Sequence, residues 1–218
     1  MRAGSPELIV VMGGGGHGRE TVSLIQDAER AHPGRWELVG VVADGQPDVE
    51  RLESLGVKWL GPIDGLQPGH ACVSVAIGDG HQRARLQRHA RGLGYRPATL
   101  VHPTAAIGLD VRMGDGCYVG CLTVLTSHVR LGEGVQVNVA CSLSHDVTLG
   151  DFVTLSPGVR LAGGVVVGDE STIFTGATVL PGVRLGRDVT VGAGAVVVHD
   201  VPDGQTVFGV PARPTGGS

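Results

Sequence analysis

His145 and Asp146 are adjacent in the chain, and Asn138 precedes the pair by seven residues. An imidazole beside a carboxylate can take a proton from an attacking amine or hydroxyl, because histidine titrates near neutral pH. Acyl transfer from a thioester needs such a base, since the nucleophile must lose its proton as it adds to the carbonyl. In that chemistry Asp146 orients or charge-balances the imidazole, and the Asn138 amide holds the acceptor or the thioester oxygen. His128 is a rival, but no carboxylate stands beside it. His102 reads as a capping or packing residue at a domain junction.

A second group lies near the N-terminus. Gly13, Gly15 and Gly18 match G-x-G-x-x-G directly after an apolar run, with Gly16 and His17 inside the motif. Glycines at such a turn let backbone N–H groups approach a phosphate, and the following helix contributes its dipole. About a hundred residues leave no room for a second mononucleotide-binding half. A single nucleotide with its diphosphate therefore fits better than a dinucleotide. Asp44, Gly78 and Asp79 stand just past strand ends, where a base, ribose or sugar would lie. The competing reading of both aspartates is a turn or cap. Cys72, Cys117, Cys121 and Cys141 have no metal-ligand spacing and read as reduced thiols, with Cys117 and Cys141 on inward positions.

The elements that position these groups differ between the two halves of the chain. From Val101 to Val197 every sixth residue is aliphatic, without exception, and a small or branched residue follows four positions later. Neither a helix nor simple alternation has that period. A hexapeptide repeat does: three hexads close a triangular coil, with two inward residues per side. Stacked coils pair their backbones at about 4.8 Å. On this reading His145 sits at a corner, facing outward. Before the repeat, strands are predicted at 8–12, 38–42, 57–60 and 72–77. Helices are predicted from the glycine loop to about 31, at 49–55 and at 81–93. The fold class is α/β plus all-β, with a small Rossmann-like domain over 1–100 and a parallel β-helix with a C-terminal tail over 101–218.

A net charge of -4 and a pI near 6.1 argue against nucleic acid as a partner. No apolar run reaches membrane-spanning length and the N-terminus lacks a signal pattern, so no membrane partner and a cytoplasmic location are expected.

The segments VVMGGGGHGRE, VVADG, SVAIGDGHQR, NVACSLSHDVTLGDFVTLSPGV and GVPAR together resemble the hexapeptide-repeat sugar acyltransferases. That family includes sialic acid O-acetyltransferases and N-acetyltransferases of UDP-4-amino-sugars. The resemblance covers nearly the whole chain, and it implies left-handed coils, a homotrimer, acetyl-CoA as co-substrate and no metal. It also implies a nucleotide-sugar held by the N-terminal domain, with His145 as base, Asp146 as its support and Asn138 in the same site. Gly163, Gly164, Gly176, Ala177 and Pro181 are candidates for backbone contact with acetyl-CoA, and Arg213 for its phosphates. Relatives often carry histidine where this chain has Thr154, whose hydroxyl retains one hydrogen bond toward the thioester side. The expected reaction is N-acetylation of a nucleotide-linked, UDP-4-amino-type sugar. O-acetylation of a sialic-acid-type hydroxyl and a non-catalytic, sugar-binding trimer remain open. A γ-class carbonic anhydrase is disfavoured by the spacing of His102, His128 and His145, and a nucleotidyltransferase by the small first domain.

Overall fold

The computed structural model describes residues 5–45 and 47–214. By internal contacts it divides into Met1–Gly78 with Gln82–Pro103, and Asp79–His81 with Thr104–Ser218.

The first unit is built on a parallel sheet. Strand β1 (Glu7–Met12) has β2 (Trp36–Val42) on one side and β3 (Cys72–Val75) on the other, with β4 (Arg96–Pro97) outside β3. Ile9 to Met12 are buried because helices cover both faces of a sheet made this way. Helix α1 (Gly16–Ala31) buries Val22, Leu24 and Ile25 and follows β1. Helices α2 (Val49–Ser54) and α3 (Gly80–Gly92) follow β2 and β3. Because the chain leaves β1 for β2 on one side and then crosses to β3 on the other, the loop after β1 lies at the point where strand order reverses. Ligands of open α/β sheets bind there. The strand expected at 57–60 is reduced to one bridge between Val41 and Trp59. Lys58 O and Leu60 N–H bond the Val41 backbone, and Gly61, at φ +109°, accepts from Ala43 N–H at 3.0 Å just past the end of β2.

The second unit is a left-handed parallel β-helix of hexapeptide repeats, about six turns long. Two-residue strands alternate among three faces. Face I contains Tyr118–Val119, Gln136–Val137 and Thr154–Leu155. Face II contains Val124–Leu125, Ser142–Leu143 and Arg160–Leu161, and face III contains Arg130–Leu131, Thr148–Leu149 and Val166–Val167. The register is 18 residues, as in Leu125 over Leu143 over Leu161. The inward positions from Cys117 to Val197 are buried, and all but four are aliphatic or alanine. Those four are satisfied in one way. Cys117, Thr123, Cys141 and Ser171 each donate to the backbone carbonyl fifteen residues on, at 2.9–3.2 Å. Burial pushes the Cys141 thiol up to about 11, so it stays protonated and able to donate. The period is less effective at its start: Ile107 is 42 % exposed, since the first coil has a neighbour on one side only.

The corners obey a rule of their own. Every sixth residue from Asp110 to Gly194 has positive φ, between 52° and 74°. Seven of these fifteen are glycine, and the others include Leu122, Ala140 and Phe152. An L-residue in this conformation costs about 1–2 kcal/mol, which each coil's packing must offset. The III-to-I corners add a carboxylate ladder. Asp151 Oδ1 accepts from Glu133 N–H at 2.7 Å, and Asp169 Oδ1 from Asp151 N–H at 2.9 Å. Gly132 and Gly150 are required beneath them, since a Cβ there would lie within 2.4 Å of the carboxylate above.

Gly158 has φ +72° and no atom closer than 3.9 Å to where a Cβ would stand, so only its backbone conformation is at issue. Gly158→Ala is expected to lower stability by about 1–2 kcal/mol. Ala140→Gly, one coil away at the same corner, should raise it by about 0.5–1 kcal/mol. Urea midpoints moving in opposite directions are the expected result; a stabilising Gly158→Ala contradicts the corner rule.

Candidate active site

The corner between faces II and III collects much of the expected chemistry. Because the register is 18, Ser127-His128, His145-Asp146, Gly163-Gly164 and Pro181-Gly182 stack as one column. The backbone staples the pair in place. Asp146 N–H donates to Ser127 O at 3.1 Å, and Gly164 N–H donates to His145 O at 2.9 Å. His145 Nδ1 lies 2.8 Å from Asp146 Oδ2. An ionised carboxylate only accepts, so Nδ1 carries the proton of that contact, and in the neutral imidazole Nε2 then keeps its lone pair. That ring edge lies over Gly163: a Cβ there would be 2.5 Å from both Cε1 and Nε2. Glycine at 163 is therefore the residue that admits the imidazole. Side-chain exposures of 66 % for His145 and 63 % for Asp146 leave the pair open to solvent in one chain. Such a pair contributes well under 1 kcal/mol to stability; its value is in fixing the tautomer. His128 occupies the positive-φ position directly beneath Asp146 and is exposed.

Four expected residues lie elsewhere within the chain. Asn138 is at the I-to-II corner, where its Nδ2 donates to Leu155 O at 2.7 Å, so its amide is partly committed to the coil and not turned to His145 of the same chain. Gly176 shares that corner, with its N–H on Pro157 O, and Ala177 faces the core with its N–H on Phe174 O. Thr154 lies on face I and is only 5 % exposed, so its hydroxyl does not face the His145 column. Asn138 and Thr154 are seven and nine residues from His145 in sequence, and a triangular coil moves residues that far apart to different sides.

Arg213 is exposed in a two-residue strand (Arg213–Pro214) that turns back against Thr206–Phe208. It borders a hollow of about 200 Å³ with an apolar floor of Val197, Val201, Val207 and Ala212, and His199, Asp200, Gln205 and Pro214 complete the border.

In the first unit, a cavity of about 320 Å³ opens among Gly14, Gly15, Arg19, Ala43, Asp44, Pro47 and Asp48. The glycine loop divides into two kinds of residue. Gly13 has φ +129° and would meet Ala76 O at 2.6 Å, and a Cβ on Gly18 would meet Gly13 O at 1.9 Å, so both are packing requirements. Around Gly15 and Gly16 there is nothing within 4 Å, and neither has positive φ. The packing of the fold does not require glycine at either position, and their bareness leaves the loop open to approach. No side chain caps α1 and no acidic residue sits in its first turn, which leaves its positive end facing the opening. Asp44 gives one oxygen to Ile63 N–H at 2.9 Å, so it is both a structural cap and a cavity wall. His17 does not line the cavity; its Nδ1 is 3.2 Å from Glu20 Oε2, and that hydrogen bond holds the Glu20 carboxyl below its usual range. Gly78 gives its carbonyl to the fully buried Arg83 at 3.0 Å and is also outside the cavity lining, as is the exposed Asp79. Arg19 and Asp48 were not expected. Arg19 stands one residue past the motif's last glycine, where a first-turn cation reaches the loop.

Among the described residues no group of three or more His, Cys, Asp or Glu is placed to hold a metal ion, and no helix is long and apolar enough to cross a membrane.

Both units are similar to known proteins. Residues 8–90 match the PglD N-terminal domain, and residues 164–199 match the bacterial transferase hexapeptide. The acetyltransferase domain of PglB from Neisseria gonorrhoeae, solved with acetyl coenzyme A, is 33 % identical. The alignment covers 96 % of this chain and 100 % of that one, with a TM-score of 0.84. A variant of perosamine N-acetyltransferase from Caulobacter crescentus, solved with CoA and GDP-perosamine, is 34 % identical over 98 % of both chains, with a TM-score of 0.83. WeeI from Acinetobacter baumannii is 26 % identical over 95 % of this chain and 99 % of its own, with a TM-score of 0.82. No curated protein sequence matches the chain.

The two kinds of glycine separate in a stability assay. Gly18→Ala should destabilise the first unit by about 1–3 kcal/mol through overpacking. Gly16→Ala should be neutral or stabilise by up to about 1 kcal/mol, as alanine does in a helix. Equal losses in thermal melts would mean that Gly16 is also a packing residue.

Proposed function

The chain belongs to the hexapeptide-repeat family of sugar acetyltransferases, and on that premise we propose that it N-acetylates a nucleotide-linked amino sugar with acetyl-CoA. The observation that carries this reading is the His145–Asp146 pair over Gly163, a base with a fixed tautomer beside a glycine-lined column. The diphosphate of the sugar nucleotide lies against Gly15, Gly16 and the bare end of α1, with Arg19 as its cation. A 4-amino sugar on UDP is the preferred substrate class, and the complex of GDP-perosamine with the Caulobacter relative makes a guanosine nucleotide the first to test against it.

The sugar amine adds to the thioester carbonyl as His145 Nε2 takes its proton. Asp146 stabilises the imidazolium that forms. Backbone N–H groups of the coil stabilise the tetrahedral oxyanion, the C–S bond breaks, and the proton passes to the departing thiolate. The products are the acetamido sugar and free CoA.

An exposed base needs a cover that excludes water. In a closed homotrimer, unlike surfaces meet around the ring. Face II is the side best suited to face the axis. Its outward residues are Ala106, Val124, Ser142, Thr178 and Val196, with Arg160 as its single charge. That arrangement sets the II-to-III corner of one chain against the I-to-II corner of the next. Asn138 and Gly176 then lie opposite His145 and Gly163, which accounts for polar and glycine residues at both corners. Asn138 Oδ1 remains an acceptor for the sugar amine.

His145→Ala should fold normally and lose about a hundredfold or more in turnover. Gly163→Ala, whose new methyl displaces the ring, should lose at least about tenfold. Thiol release with UDP- and GDP-linked 4-amino-sugars measures both, and undiminished turnover in His145→Ala removes that residue from the mechanism. Mixed oligomers of His145→Ala and Asn138→Ala should regain activity that neither shows alone, because a site formed between the two variants can take an intact His145 from one chain and an intact Asn138 from the other. No recovery on mixing places each site within a single chain.

A further inference from the structure

Between β3 and the body of α3 the chain joins the second unit for three residues, Asp79, Gly80 and His81. Two of them rest on the III-to-I edge of the coils. A Cβ on Gly80 would stand 2.5 Å from Phe152 O and 3.4 Å from Glu170 Cα, so glycine lets the backbone lie flush on that corner. His81 comes next and spans two coils. Its Nδ1 lies 3.0 Å from Glu170 Oε2, and its Nε2 lies 3.0 Å from Asp188 Oδ1. Glu170 and Asp188 hold the same corner position in successive coils, at φ 59° and 54°, so the register sets their backbones about 4.8 Å apart.

A neutral imidazole carries one N–H, and an ionised carboxylate can only accept. A neutral ring in this place would turn a lone pair toward one of its two acidic partners. Only the imidazolium satisfies both. Helix α3 gives no help, because a cation in a first turn opposes the helix dipole. The attraction comes from the carboxylates that face the ring, Asp188 and Glu170 on the coils and Asp79 on its own turn. The hydrogen bond to Asp188, with the charges of Glu170 and Asp79 behind it, holds the His81 pKa above its ordinary value. The neighbouring Arg187 is directed to Asp169, at 3.1 Å.

We propose that His81 is a pH-operated clasp: charged, it bridges two coils and pins the Asp79–His81 turn to the solenoid, and on losing a proton to solvent it loosens that turn. The lone pair left by the proton faces a carboxylate at 3.0 Å, and Glu170 and Asp188 lose the charge that offsets their repulsion. The clasp is therefore whole below the ordinary histidine pKa of about 6.5 and is lost as pH rises through the higher value of the folded chain. Side-chain exposures of 54 % for His81, 31 % for Glu170 and 64 % for Asp188 keep it weak and in reach of solvent protons. Nothing in it depends on the acetyl-transfer reading or on a bound ligand.

The intact chain alone tests the clasp. Ring-proton NMR, with His81 assigned by its absence in His81→Gln, should give a titration midpoint above that of an ordinary histidine. Glu170→Gln and Asp188→Asn should each lower that midpoint. In thermal melts below about pH 6, His81→Gln should lie about 1–3 °C under the native chain, and the gap should close as pH passes the His81 midpoint. Above that midpoint His81→Lys, which keeps its charge, should melt higher than the native chain. A His81 midpoint at or below the ordinary histidine value overturns the clasp. So does a melting gap that is the same at every pH, which is the result that packing alone would give.

Discussion

The 18-residue register of the coils is the constraint on which the second unit depends. It holds because two terms agree at every step. The inward aliphatic residues bury completely only when each coil lies over its neighbour. The backbone also returns through a positive-φ residue once every six positions. If either term slipped by one residue, outward groups would enter the core and the corner residues would leave the left-handed region. The polar inward residues observe the register as well, since Cys117, Thr123, Cys141 and Ser171 all reach the same carbonyl position fifteen residues on. Their hydrogen bonds make those four sites part of the ladder, where they would otherwise be defects in an apolar core.

The same register makes the three edges chemically different while the core stays uniform. The III-to-I edge carries the Gly-acid ladder and is structural. The I-to-II edge carries Asn138 and Gly176. Only the II-to-III edge stacks two histidines, two aspartates and two glycines in adjacent coils (127–128, 145–146 and 163–164 with Asp110 below). A residue's place in the hexad decides whether it is inside or outside; its place in the 18-residue coil decides which of three environments it meets.

That distinction explains what was legible in the sequence. The hexad period reveals the solenoid and its core because burial depends only on position modulo six. His145-Asp146 is legible because both members occupy one corner. Thr154 and Asn138 lie within nine residues of His145 in sequence but on other sides of the same chain's coil, which a six-residue period does not reveal. The 18-residue spacing of Gly132-Glu133, Gly150-Asp151 and Gly168-Asp169 is a signal for the ladder that a six-residue reading passes over. In the first unit the order of strands and helices follows from apolar runs and turn glycines. The strand at 57–60 is overestimated, since propensity does not reveal that its pairing is limited to one bridge, between Val41 and Trp59. The division of the glycine loop into packing and open glycines depends on distances, such as that from Gly18 to Gly13 O, which no pattern contains.

Both tryptophans of the chain, Trp36 and Trp59, belong to the first unit. The Trp59 indole donates to Ala43 O at 3.3 Å, and Ala43 is a wall of the cavity beside the glycine loop. The solenoid has no indole, so ultraviolet emission excited in the tryptophan band comes from the first unit alone. The molecule is thus optically divided: one half carries a fluorophore coupled to its cavity, and the other, with its column of histidines, is dark.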